Sequence, residues 1–186
     1  HAFTSVGSAN FTADPSRVTA RITGNITGAS GSWTKTGLGE LTLSGSNTYQ
    51  GTTTISAGTV QVTSASGLGN NSAVTINNVA GALLKTYNAD ADPTTNHLTV
   101  AIGSLAGGGT TGGNVSLGAD TTLQLGVTDA STTFAGQISG TGNLDKVGAG
   151  VFTLTGSNRY TGTTKITAGE LQIGNAGTTG TIGLGE

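Results

Sequence analysis

The stretch "GELTLSGSNTYQGTTTISAGTVQV", Gly39 to Val62, returns 111 residues later as "GVFTLTGSNRYTGTTKITAGELQI", Gly150 to Ile173. Extended back to the preceding lysine, Lys35–Val62 and Lys146–Ile173 share 16 identities in 28 ungapped positions. The differences sort by position. Leu41 becomes Phe152, Val60 becomes Leu171 and Val62 becomes Ile173, so these alternate sites stay apolar. Between them Thr48 becomes Arg159, Thr54 becomes Lys165 and Thr59 becomes Glu170. A period of two, apolar on one side and tolerant of charge on the other, predicts half-buried β-strands.

Each copy holds three such strands, "ELTL", "TTTI" and "TVQV" in the first, separated by "SGSN" and "SAG". Gly and Asn supply the backbone conformations of sharp corners. Thr, Val and Ile, branched at Cβ, favour the extended chain. No segment shows a 3.6-residue apolar stripe. Short strands joined by corners, without hairpin dipeptides, predict a chain that keeps turning one way and stacks its turns as a parallel β-helix. The intervening "AVTI", "ALLKTY", "LTVAIGSL", "NVSL" and "TTLQL" fit the same plan. At roughly 20–24 residues per coil the chain would make about eight coils and a rod of about 40 Å. Even the run-in repeats, with Trp33 falling where Leu144 sits. The expected organisation is one β-helical unit over 1–186. Within it, 1–20 is an atypical lead-in, 22–63 and 134–174 are the repeat copies, and 64–133 holds connecting coils.

Composition agrees with an ordered, turn-rich, all-β chain. Of 186 residues 33 are Gly, 34% are hydrophobic and 9% charged, and the net charge is −2. Disordered chains combine few apolar residues with high net charge. There is no Cys, which excludes disulfides and thiolate metal sites. Seven scattered Lys and Arg give no basic footprint, so no nucleic-acid partner is expected. No apolar run reaches the roughly 20 residues of a membrane helix, so no membrane insertion of this segment is expected. With no Met at its start, the chain reads as a processed product or a segment of something longer.

The pattern Gly-x-Gly-x-Leu-Thr-Leu-Ser-Gly-x-Asn-x-Tyr-x-Gly-x-Thr-x-Ile-x-x-Gly-x-Leu-x-Val resembles the passenger-associated transport repeat, also called the autotransporter-associated β-strand repeat. In the first copy it falls on Gly37, Gly39, Leu41, Leu43, Gly45, Asn47, Tyr49, Gly51, Ile55, Gly58, Val60 and Val62. In the second it falls on Gly148, Gly150, Phe152, Leu154, Gly156, Asn158, Tyr160, Gly162, Ile166, Gly169, Leu171 and Ile173. The resemblance implies a right-handed parallel β-helix within a bacterial cell-surface or secreted passenger. It implies export by the type V machinery and a structural or adhesive role, and it transfers no catalytic residue and no cofactor.

Other motifs in the chain have plainer readings. Asn88, Asp90 and Asp92 alternate and are the candidate Ca²⁺ ligands, against a solvated loop before Pro93. Gly140–Asp145, "GTGNLD", is read as a turn rather than a calcium repeat. Gly107, Gly109 and Gly112 have a dinucleotide-loop spacing but precede a strand, not a helix. His97 is read as a surface or loop residue, since no Ser sits in a nucleophile elbow. A glycosidase needs two close carboxylates, for which Asp120 with Asp145 is the pair considered. Tyr49 and Tyr160 are read as corner packing, with a glycan-stacking ladder as the alternative, and Asn47 and Asn158 as turn asparagines. Lys35 and Lys146 are read as carbonyl caps or surface residues. Three functions follow: a rigid stalk or adhesin module that touches a surface glycan or host receptor, a filament subunit stacking end to end through open coil ends, and a polysaccharide-binding or polysaccharide-degrading β-helix.

Overall fold

The computed structural model describes residues 3–4, 9–12, 19–89 and 97–183, and no helix occurs among them. The strands assemble into three long faces. The first is an eight-stranded sheet built from Ala9–Thr12, Trp33–Thr36, Thr53–Ile55, Ala73–Ile76, Ser104–Gly107, Thr132–Phe134, Val151–Leu154 and Glu170–Ile173. The second has six strands, Ala20–Ile22, Glu40–Leu43, Thr59–Val62, Leu83–Thr86, Asn114–Leu117 and Ile138–Gly140. The third has four, Leu98–Ile102, Thr121–Leu125, Asn143–Lys146 and Thr164–Ile166. Its lower turns are less regular but still bonded from turn to turn. There Thr48 N–H donates to the Ile26 carbonyl (2.9 Å) and Asn47 N–H to that of Ser66 (3.1 Å).

The chain visits the faces in the order first, second, third, and every strand pairs in parallel with its neighbour one turn away. This is a parallel β-helix. Seven register steps and 162 residues separate Ala9 from Leu171, or about 23 residues per turn. Seven turns at about 4.8 Å make a rod of about 34 Å, one turn fewer than the sequence suggested. The difference lies mid-chain. Steps in and beside the repeat copies are short, as from Trp33 to Thr53 or Thr132 to Phe152. The step from Val74 to Leu105 takes 31 residues, outside the expected 20–24. Extra chain leaves the stack at the corners 77–82 and 108–113.

Inward side chains stack in register. Leu41, Val60, Leu84, Val115 and Ile138 form one column on the second face, and all are buried. Each such side chain contributes about 1.5–3 kcal/mol by leaving water. Trp33 and Leu144, matched in sequence, both point inward. Arg159, Lys165 and Glu170 are exposed, while Phe152 is buried. Two positions depart from the expected alternation. Ile166 and Ile173 continue inward columns, yet are 52% and 42% exposed. They belong to the last strands of the stack, where no described turn lies above them.

The two copies of the repeat do not share faces. Glu40–Leu43 lies on the second face, but its counterpart Val151–Leu154 lies on the first. Thr53–Ile55 is on the first and Thr164–Ile166 on the third; Thr59–Val62 is on the second and Glu170–Ile173 on the first. The 111-residue offset amounts to four turns and two faces. The second copy is therefore rotated by one face about the axis. What recurs is the corner between faces, not any one face of the rod.

Thr54 and Thr75 are in register on adjacent turns and point outward. Their Cα atoms lie about 4.8 Å apart by strand spacing, inside the range a disulfide spans. The cysteine-free chain carrying Thr54→Cys and Thr75→Cys is expected to oxidise to an intramolecular disulfide, read by mass spectrometry. The sequence-matched pair Thr54→Cys and Lys165→Cys should not.

Candidate functional site

The repeated polar residues meet at the corners. Lys35 and Lys146 leave the strands Trp33–Thr36 and Asn143–Lys146 toward the interior, and both side chains are buried. Lys35 Nζ donates to the carbonyls of Thr36 (2.7 Å), Gly37 (2.7 Å) and Ala57 (3.2 Å). Lys146 Nζ donates to those of Val147 (2.6 Å), Gly148 (2.8 Å) and Ala168 (3.3 Å). An ammonium has three protons, and here each has one carbonyl. Two acceptors lie at the corner of the same turn and the third on the turn above. Burial lowers both lysine pKa values; for Lys146 the Asp129 carboxylate pulls in the opposite direction. The turn above brings Gly58 and Gly169 over this corner with φ of +65° and +68°. A Cβ at either would stand 2.4 Å from the carbonyl oxygen of Gly37 or Gly148, the same oxygens that the lysines hold. Hence "AG" recurs at 57–58 and 168–169.

Past the next strand each copy runs through "GSN" and a Tyr. Asn47 Oδ1 accepts from Ile26 N–H (2.7 Å), one turn below, and its Nδ2 donates to the Gly67 carbonyl (2.6 Å), one turn above. Asn158 repeats this with Ile138 N–H (2.8 Å) and the Thr181 carbonyl (2.6 Å). One side chain thus ties three successive turns together. Tyr49 and Tyr160 are also buried, with the phenol of each bonded to a hydroxyl four residues on, Thr53 (2.8 Å) and Thr164 (2.5 Å). Tyr49 packs edge to face on Trp33, centroids 6.2 Å apart. Its pKa is pushed up to about 12, by burial above all. Neither ring faces solvent, which sets aside the glycan-stacking alternative: Tyr49 fills the interior behind the third face, where regular strands are lacking, and Tyr160 the interior behind the second face, above Ile138–Gly140.

The other candidates are dispersed. Asn88 is buried, whereas Asp90 and Asp92 lie outside the described residues, and no group of three acids or histidines is gathered among the described ones. His97 is exposed and bonded through Nε2 to the Thr122 hydroxyl (2.6 Å). Asp145 accepts from Gln124 Nε2 (3.2 Å) and the Thr167 hydroxyl (2.8 Å). Asp145 is in register with Gln124, four residues along from Asp120. That offset is about 13 Å along the strand, more than the roughly 5–9.5 Å of glycosidase pairs. Gly107 ends the strand Ser104–Gly107, and Gly109 and Gly112 fall in the corner before the strand Asn114–Leu117, with no helix following.

The sequence reading missed the outer surface. On the first face Thr34, Thr54, Thr75, Ala106, Thr133, Thr153 and Gln172 form one outward column. Beside this uncharged column, the corner loop 108–113 overhangs a groove of about 420 Å³. Gly109 and Thr110 line it from the loop, and Asn114, Ala135, Gln137, Thr155, Gly156 and Ser157 complete the lining. A smaller depression of about 230 Å³ on the third face includes Gln124, Asp145 and Lys165.

Two predictions follow from the buried corners. Lys35→Met leaves three carbonyls without the ammonium and is expected to cost about 2–4 kcal/mol of unfolding free energy in denaturant melts, against almost nothing for Lys165→Met on the exposed face. The second concerns pH. Tyr49 ionises near 10 when unfolded and at about 12 when folded, so the folded chain holds the proton more tightly. That stability is complete below pH 10 and is lost as pH rises through 12. Lys35 and Lys146, lowered when folded, act only below the ordinary lysine value, so above about pH 10.5 they add no slope. Melting curves between pH 10.5 and 12 should show a fall of about 1.5 kcal/mol that Tyr49→Phe reduces.

The comparisons fit these corners. The family described as Passenger-associated-transport-repeat matches residues 34–62 and 144–173, each match spanning the Asn and Tyr corner and the glycine above the lysine. The chain is 35% identical over 170 residues to the adhesin BmaC autotransporter of Brucella suis biovar 1 (strain 1330). That alignment covers 89% of this chain and 5% of the relative, so the chain spans a small part of that protein's length. No solved structure matches the chain. The relative is an autotransporter adhesin by name and the repeat is described as passenger-associated, which together indicate a cell-surface or extracellular location. The chain is a parallel β-helix that bears two passenger-associated transport repeats and is similar to a short part of an autotransporter adhesin.

Proposed function

We propose that this chain is a stiff, non-enzymatic segment of an adhesin-type passenger, exported by the type V route and serving to hold contact surfaces along a rod. The observation that carries this reading is the direction of the repeated polar groups. Lys35, Asn47, Tyr49 and their counterparts Lys146, Asn158 and Tyr160 all point inward and bond the chain to itself. The most regular part of the sequence is thus spent on cohesion between turns, as in solenoids whose stability is a sum over neighbouring turns. The adhesive role of the relative supports the same reading for the longer protein.

The test is to fuse the chain upstream of an autotransporter β-barrel in a Gram-negative host. The segment is expected to reach the surface and to resist added protease there. Retention inside the cell, or turnover of a polysaccharide panel by the purified chain, would overturn the proposal.

A further inference from the structure

We infer that the groove under the corner loop 108–113 is a subsite for an uncharged oligosaccharide. This deepens the surface-adhesin reading and rests on it. The groove has about 420 Å³, within the roughly 300–1,000 Å³ of small-ligand sites. It crosses three successive turns, at Asn114, Gln137 and Ser157, so a ligand in it lies along the rod axis. It forms here because this is where extra chain leaves the stack. Asn78 Oδ1 accepts from Thr111 N–H (2.9 Å) and Gly112 N–H (3.0 Å), holding the loop against the turn below. Gly108 and Gly113 carry φ of +70° and +74°, which lets the loop double back.

The lining chooses the ligand class. No Lys, Arg, Asp, Glu or His contributes, so neither a phosphate nor a cation finds a counter-charge. No apolar group larger than a methyl contributes, so a peptide's aliphatic or aromatic anchor has no pocket. What remains are amides, hydroxyls and glycine backbone, the partners of a hydroxyl-rich neutral molecule. Two amides are already oriented. Asn114 Oδ1 accepts from Gln137 N–H (2.9 Å), which leaves Asn114 Nδ2 as a donor. Gln137 Nε2 donates to the Ser157 carbonyl (3.0 Å), which leaves Gln137 Oε1 as an acceptor. A donor and an acceptor one turn apart, each fixed by a bond to backbone, reduce the ordering cost of binding. The hydroxyls of Thr110, Thr155 and Ser157 make no bond among the described residues. A hydroxyl both donates and accepts, so they can follow the ligand's own hydroxyls.

The experiment titrates the purified chain with neutral hexasaccharides of glucose, xylose and mannose, and separately with hyaluronate and a sulfated glycan, followed by ¹⁵N–¹H NMR. At least one neutral hexasaccharide is expected to shift the side-chain amides of Asn114 and Gln137. Ser157→Trp, at an exposed position, should fill the groove and weaken that binding by about tenfold or more, while Gln61→Trp on the second face leaves it unchanged. Melting curves of both variants confirm that the stack is intact. No shift at those amides with any neutral saccharide, a response to anionic glycans alone, or full binding by a folded Ser157→Trp chain would overturn the inference. Surface delivery in the fusion assay with no saccharide binding would overturn this subsite and leave the proposed function standing.

Discussion

A chain that turns sharply between flat faces must hide the backbone groups of its corners inside the rod. The strands need no help, because each turn hydrogen-bonds to the turns above and below. The corners are different: their carbonyls converge on a buried side chain rather than on a neighbouring strand. Lys35 and Lys146 resolve this with one ammonium for three oxygens, two from its own turn and one from the turn above. A buried charge without such partners would be costly. With them, the same side chain closes a corner and fixes the height of the next turn. Asn47 and Asn158 do the same for an N–H below and a carbonyl above.

This constraint explains what the repeat conserves within the chain and what it leaves free. Identity between the copies is concentrated on Lys, Gly, Asn and Tyr, the corner set, while the strands vary from Leu41 to Phe152 or Val60 to Leu171. The copies can therefore sit on different faces of the rod without conflict. A corner set needs a turn below and a turn above, not a particular direction in space. It also means that two identical phrases do not present identical surfaces. Outward positions such as Thr54 and Lys165 are matched in sequence but lie on separate faces, so a contact surface cannot be inferred from the repeat alone.

The fold was legible because side-chain period and corner chemistry are local. Alternation in "TTTI" and "TVQV", and glycine after "SA", imposed parallel stacking once hairpin turns were absent. The inward role of the lysines was less legible, because a lysine among threonines on a β-strand ordinarily faces water. The signal available was its own recurrence with "G-x-G" two residues on, which places carbonyls within reach of Nζ. Turn length in the middle was misjudged because corner loops such as 108–113 carry no period at all; only their glycines mark them. The groove was not legible for the same reason. Asn114, Gln137 and Ser157 are unremarkable residues in sequence, and only register across three turns brings them together.

The most direct test of the central claim is ¹⁵N NMR of the lysine ammonium groups. The chain has four lysines, Lys35, Lys85, Lys146 and Lys165. Ammonium protons held by three carbonyls in the interior exchange slowly with water, while those of exposed lysines exchange too fast to be seen near neutral pH. Two protected signals are expected, assigned to Lys35 and Lys146 and lost one at a time in Lys35→Met and Lys146→Met. Four ammonium groups in fast exchange would contradict the account, since the corners would then be closed by something other than these side chains.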